Sequence, residues 1–150
     1  MRKEISLIAI FCVALTGLFA TNHEEVEQST KEMISDVLEI TQENFQKEIC
    51  ESTKPIIVDI YSNSCQPCRL MESILKEMSI EYKGEIRFVK INCEREIQLA
   101  RKYNVTQLPT FLFIRPGEET PVLLVKGFTS KKNFQAKIAE FLQKDPPTIQ

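Results

Sequence analysis

The sequence predicts an α/β domain with a mixed central β-sheet flanked by helices, and two observations carry that reading. Between residues 41 and 142, apolar strand-length runs alternate with amphipathic helical stretches. Strand–helix–strand at this spacing makes a parallel βαβ unit. The last two strands instead flank the short turn signal Pro116-Gly117, which joins them antiparallel.

The elements follow in order. A segment at Asp36–Ile40 adds an edge strand. Thr41 is a helix N-cap, with Ile40 and Phe45 placed as a hydrophobic staple and Ile49 on the Phe45 face. Lys54-Pro55 breaks the chain before Ile56–Tyr61, a strand apolar on both faces except at Asp59, as a central strand is. A helix runs from Cys68 to Glu81, with Leu70, Met71, Ile74, Leu75 and Met78 as its apolar positions, and ends at Lys83-Gly84. Ile86–Ile91 is a strand. Glu94–Tyr103 is a short helix with Ile97, Leu99 and Ala100 inward. Thr110–Ile114 and Val122–Val125 are strands. Ser130 caps a last helix bearing Phe134, Ile138, Phe141 and Leu142.

The chain of 150 residues is 43% hydrophobic, enough for one domain with its own core. Its net charge of −2 provides no basic footprint, so no nucleic-acid partner is expected. Four glycines form no phosphate-binding loop. At the start, Arg2 and Lys3 precede an apolar stretch from Ile5 to Ala20, and a polar acidic segment follows. That order reads as a signal peptide cleaved after Ala20. The alternative is an uncleaved N-terminal membrane anchor. Either places the domain outside the cytoplasm, in a periplasmic or other extracytoplasmic space, soluble or tethered. The organisation is thus a leader at 1–20, an acidic spacer at 21–35, a domain at 36–144 and a short tail at 145–150. His23 is a solvated spacer residue.

The chemistry centres on Cys65-Gln66-Pro67-Cys68, where a strand and a polar turn give way to a helix. Two thiols at this spacing can close a disulfide across one helical turn. At a helix N-terminus, unpaired N–H groups and the helix dipole favour the thiolate, the nucleophile of disulfide exchange. In the redox reading, Cys65 attacks a substrate disulfide and Cys68 resolves the mixed disulfide. A static staple and half of a zinc site are the alternatives. Zinc takes four ligands, and Cys50, Cys93 and His23 stand isolated. Cys50 and Cys93 read as small buried hydrophobes, with a disulfide between them left open.

Asp59 in an apolar strand is costly to ionise, so its pKa should rise. Behind the dithiol it can exchange a proton with Cys68, and the alternative is a solvent-facing strand position. Lys90 either pairs with Asp59 and tunes it or snorkels at a strand end.

These residues resemble the thioredoxin family over about Ile40 to Leu142. Val58-Asp59-Ile60 matches the strand with a buried acid six positions before the first cysteine. Cys65-Gln66-Pro67-Cys68 matches the active-site motif, and Lys90 the lysine of the next strand. Leu108-Pro109-Thr110, after Tyr103-Asn104-Val105, matches the cis-proline loop, and Gly127 the glycine after the last strand.

The resemblance implies a thioredoxin fold and a thiol–disulfide oxidoreductase that reduces or isomerises protein disulfides, with no metal or organic cofactor. It implies a cis Pro109 whose preceding backbone pairs with an extended substrate. Together with export, it implies a membrane electron donor that recharges the protein. A disulfide-inserting oxidase and a non-catalytic client-binding module are the competing functions, and the intact cysteine pair argues against the module. Ser64 and Tyr61 stand where the family has tryptophans, Gln66 where it has glycine, and Ser73 where it often has proline. Gln66-Pro67 adds no charge, so the couple is expected nearer the reducing end.

Overall fold

The strands are β1 (Leu38–Glu39), β2 (Ile56–Tyr61), β3 (Arg87–Asn92), β4 (Thr110–Ile114) and β5 (Pro121–Lys126). They form one sheet in the order β1-β3-β2-β4-β5. β1, β3 and β2 run parallel, while β4 and β5 alternate in direction, so the sheet is mixed as expected. This is a computed structural model, and it describes residues 37–143. The leader, the acidic spacer with His23, and the tail at 145–150 lie outside the described residues. Among the described residues, no helix is long and apolar enough to cross a membrane.

Among the described residues four helical segments cover the sheet: α1 (Gln46–Cys50), wound as a π-helix, α2 (Gln66–Glu81), α3 (Ile97–Lys102) and α4 (Lys131–Gln143). The turn into α1 starts at Thr41, whose carbonyl accepts the Phe45 N–H at 2.9 Å. The Asn44 side chain reaches back to the Thr41 N–H at 2.8 Å, half of a capping box. Within α1 the Glu51 N–H reaches five residues back to the Gln46 carbonyl. Arg87 takes the Glu48 carbonyl and also pairs with the Glu48 carboxylate. At α4, the Ser130 hydroxyl accepts the Asn133 N–H, the cap expected there.

Strand alternation divides the core in two. Val58, Ile60, Leu112 and Ile114 face one way and pack with Phe45 and Ile49 from the α1 side and Leu99 and Tyr103 from the α3 side. Ile57, Phe111 and Phe113 face the other way and pack with Met71, Leu75 and Met78 of α2 and Phe134, Ile138 and Phe141 of α4. Three residues expected inward are turned out: Leu70, Ile97 and Leu142 are 59%, 50% and 41% exposed. Leu70 and Leu142 each flank a buried residue, Met71 and Phe141, and Ile97 stands two positions before buried Leu99, so the buried stripe is narrower than the apolar pattern suggests.

Phe134 anchors the second core. It is fully buried and meets Phe111 edge-on at 5.0 Å and Phe113 at 5.8 Å between centroids. Replacing it with alanine is expected to cost about 3–5 kcal/mol. Urea denaturation measures this; a loss below about 1 kcal/mol would show that the site collapses around the smaller side chain.

Candidate active site

Strand pairing assembles the site at one end of the sheet. Ile60 pairs with Thr110 and Thr110 with Lys126. The next residues outward, Tyr61, Pro109 and Gly127, therefore share that end. The Gly127 N–H donates to the Pro109 carbonyl at 2.7 Å, and the Leu108–Pro109 peptide is cis. Gly127 has φ +79°, a left-handed backbone that calls for glycine; a Cβ there would meet only the end of the exposed Gln107 side chain, which can move aside. This is also the carboxyl end of the parallel strands, where α/β sheets place their sites.

Here β2 hands the chain to α2 through Ser62–Cys65. Cys65 is the N-cap of α2 in extended conformation, and Pro67 sits in the first turn, where its missing N–H costs nothing. Cys65 and Cys68 form a disulfide with Cα atoms 5.3 Å apart. The two differ in access: Cys65 is partly exposed, whereas Cys68 is buried at 5% exposure. The Cys68 N–H donates to Cys65 Sγ at 3.2 Å, so a thiolate formed there would meet a backbone donor at the helix N-terminus. Gln66 and Pro67 are exposed beside it, and Pro109 is buried.

Asp59 shares its face of the sheet with Ile57, the face covered by α2, because side chains alternate along a strand. It is 8% exposed, which excludes the solvent-facing alternative. A cleft of about 340 Å³ brings it together with Cys68, Arg69 and Glu72 of α2, and with Tyr61 and Lys90. Its Oδ1 is buried with no hydrogen-bond partner among the described residues. Burial pushes its carboxyl up from 3.8 to about 7; Lys90 pulls the other way and Glu72 adds to the rise. An acid with that pKa can give or take a proton at neutral pH.

Lys90 is the register partner of Asp59 across β2 and β3. Among the described residues it closes no ion pair with that carboxylate; its ammonium lies over the Tyr61 ring, 5.7 Å from the centroid. The other cysteines take no part in this cluster. Cys50 and Cys93 are free thiols, half-buried rather than fully buried, and burial chiefly raises both above the usual thiol range. Among the described residues, no group of three or more His, Cys, Asp or Glu gathers that could hold a metal.

Sequence reasoning did not single out several residues that shape the site. Glu72 stands four residues after Cys68, on the same helix face, and that spacing was a usable signal. Ser64 hydrogen-bonds Glu94 at 3.1 Å and Ser62 at 3.1 Å, so where a tryptophan was the family expectation a polar network braces the loop. Asn92, 1% exposed, turns the chain after β3 by accepting the Glu94 N–H at 2.9 Å. Arg69 donates to the Asn63 carbonyl at 3.0 Å. Only the sheet register brings Asn92 and Glu94 to this loop.

The comparisons agree with this geometry. The family model described as Thioredoxin matches residues 36–140. Thioredoxin 1 of Nostoc sp. is 28% identical over 91 residues, covering 61% of this chain and 85% of that protein. Thioredoxin C-2 of Corynebacterium nephridii is 33% identical over 86 residues, 57% of this chain and 80% of that protein. Thioredoxin Y1, chloroplastic, of Arabidopsis thaliana is 35% identical over 106 residues, 71% of this chain and 60% of that protein. A dithiol–disulfide pair at a helix N-terminus, inside a matched domain, is the equipment of thiol–disulfide exchange. This chain belongs to the thioredoxin family, as a thiol–disulfide oxidoreductase.

Proposed function

We propose that the protein reduces or isomerises disulfides of protein substrates outside the cytoplasm. The observation that carries the chemistry is the unequal burial of the pair, with Asp59 and Cys68 in one cleft. In the reduced protein the accessible Cys65 thiolate attacks a substrate disulfide, forms a mixed disulfide and releases one substrate thiolate. Cys68 then gives its proton to the Asp59 carboxylate and attacks Cys65 Sγ. The mixed disulfide breaks, the second substrate thiolate leaves, and the Cys65–Cys68 disulfide remains. Two electrons have passed to the substrate. The cis-Pro109 loop, beside the thiols at the same sheet end, supplies backbone for an extended client segment.

The extracytoplasmic location is supported by the leader pattern at residues 1–20, and it carries the further proposal of a membrane electron donor that re-reduces the pair. The uncharged Gln66-Pro67 dipeptide supports a reducing couple. The decisive experiment pairs catalysed insulin reduction with the equilibrium potential against glutathione or thioredoxin. Turnover together with a potential near about −270 to −180 mV is expected. A potential near about −120 mV would assign the protein to disulfide insertion. No turnover at all would leave a client-binding module.

A further inference from the structure

A row of alternating charge crosses the sheet beneath the redox loop. Glu39 of β1 pairs in register with Lys90 of β3, and Lys90 with Asp59 of β2. The three side chains share one face. A lysine between two carboxylates would be expected to bind one of them, yet among the described residues Lys90 makes no ion pair. Its ammonium instead lies over the Tyr61 ring, within cation–π range. The ring itself is anchored: the Tyr61 hydroxyl donates to Glu39 Oε1 at 3.2 Å, and Arg95 stands 4.0 Å from the same oxygen. Asp59 Oδ1 has no hydrogen-bond partner among the described residues.

We propose that Tyr61 is a positioning residue for the buried acid: its ring, anchored by Glu39, holds the Lys90 ammonium out of an ion pair with Asp59. The consequence is functional. A fully paired Asp59 would stay ionised far below neutral pH and would be a poor proton acceptor for Cys68. Held on the ring, Lys90 moderates the cost of ionising Asp59 without removing it. The other charged groups around Asp59 are Glu72 and Arg69 of α2, and its neighbour on β4 is the apolar Phe111. The role rests on the proton-exchange reading of Asp59, but its test needs no turnover.

The test is an NMR titration of the Asp59 carboxyl carbon in the oxidised full-length protein, where neither Cys65 nor Cys68 titrates. In Tyr61→Leu the ammonium loses its ring. Arg95 already serves Glu39, so Lys90 is expected to close on Asp59 and lower its midpoint by about one pH unit. Tyr61→Phe keeps the ring but loses its anchor on Glu39, so its midpoint should fall less than that of Tyr61→Leu. Lys90→Met should raise the midpoint, and Tyr61→Leu added to Lys90→Met should then change nothing further.

The proposal is overturned if Tyr61→Leu leaves the midpoint unmoved or raises it, or if Tyr61→Phe falls as far as Tyr61→Leu. It is also overturned if the fall persists without Lys90, because the ring would then only be keeping water from Asp59. Failure of insulin reduction by the wild type would remove the enzymatic reading and leave this coupling standing; failure of the titration would do the reverse.

Discussion

Cys65→Ser is expected to take insulin reduction down to the uncatalysed rate while leaving the fold in place. The reason lies in access and not in stability. Cys65 is the sulfur a substrate disulfide can reach, and Cys68 is buried beneath it. A serine hydroxyl at the same N-cap accepts the same backbone N–H, so α2 keeps its start. What is lost is the nucleophile, since a hydroxyl is not ionised at neutral pH. The partner variant Cys68→Ala has a different expected outcome. Its Cys65 still attacks, but nothing resolves the product, so mixed disulfides with clients accumulate and are seen on non-reducing gels. Turnover by Cys65→Ser above background would mean that Cys68 attacks directly, contrary to its burial.

Asp59→Ala carries the second large effect, with opposite signs for stability and for rate. The carboxyl is pushed up to about 7 in the folded protein from 3.8. Between those pH values the native state holds a proton that the unfolded chain releases. Stability from this group is therefore complete below about pH 4 and is lost as pH rises through 7. A difference of that size corresponds to about 4 kcal/mol at alkaline pH. Removing the carboxyl abolishes this loss, although the space left behind takes back part of the gain. Asp59→Ala should thus be roughly 2–4 kcal/mol more stable than wild type at pH 8, and equal to it or up to about 2 kcal/mol less stable at pH 4, where only the cost of the space left behind remains. Urea unfolding of the oxidised proteins at the two pH values measures it; equal stability at both would show that Asp59 is not a strained acid. The rate should move the other way. Without a proton acceptor for Cys68, resolution of the mixed disulfide at pH 7 should slow by about 100-fold. Stopped-flow release of the second substrate thiol reads that step.

Much of this architecture was legible before any coordinates. The Asp59 interruption of an apolar strand, the Cys65/Cys68 spacing and the Pro116-Gly117 turn are local signals, and local signals survive in a linear sequence. The Ser130 cap was legible for the same reason. Leu70, Ile97 and Leu142 were misread as inward. An apolar residue one or two positions from a buried one fits the helical stripe nearly as well, and only packing against the sheet selects which is covered.

The sequence by itself determined the mixed α/β architecture, the dithiol at a helix start and an acid within an apolar strand ahead of it. Each follows from residue type and short-range spacing. Tertiary structure alone decided which thiol is reachable, and that the Pro109 and Gly127 segments meet beside the pair. It alone decided that Lys90 lies on Tyr61 and not on Asp59. Those outcomes depend on strand register: Glu39, Asp59 and Lys90 are far apart in the chain and become neighbours only when β1, β3 and β2 align. The pattern of residues carried the chemistry of this site; the register of the sheet set its electrostatics.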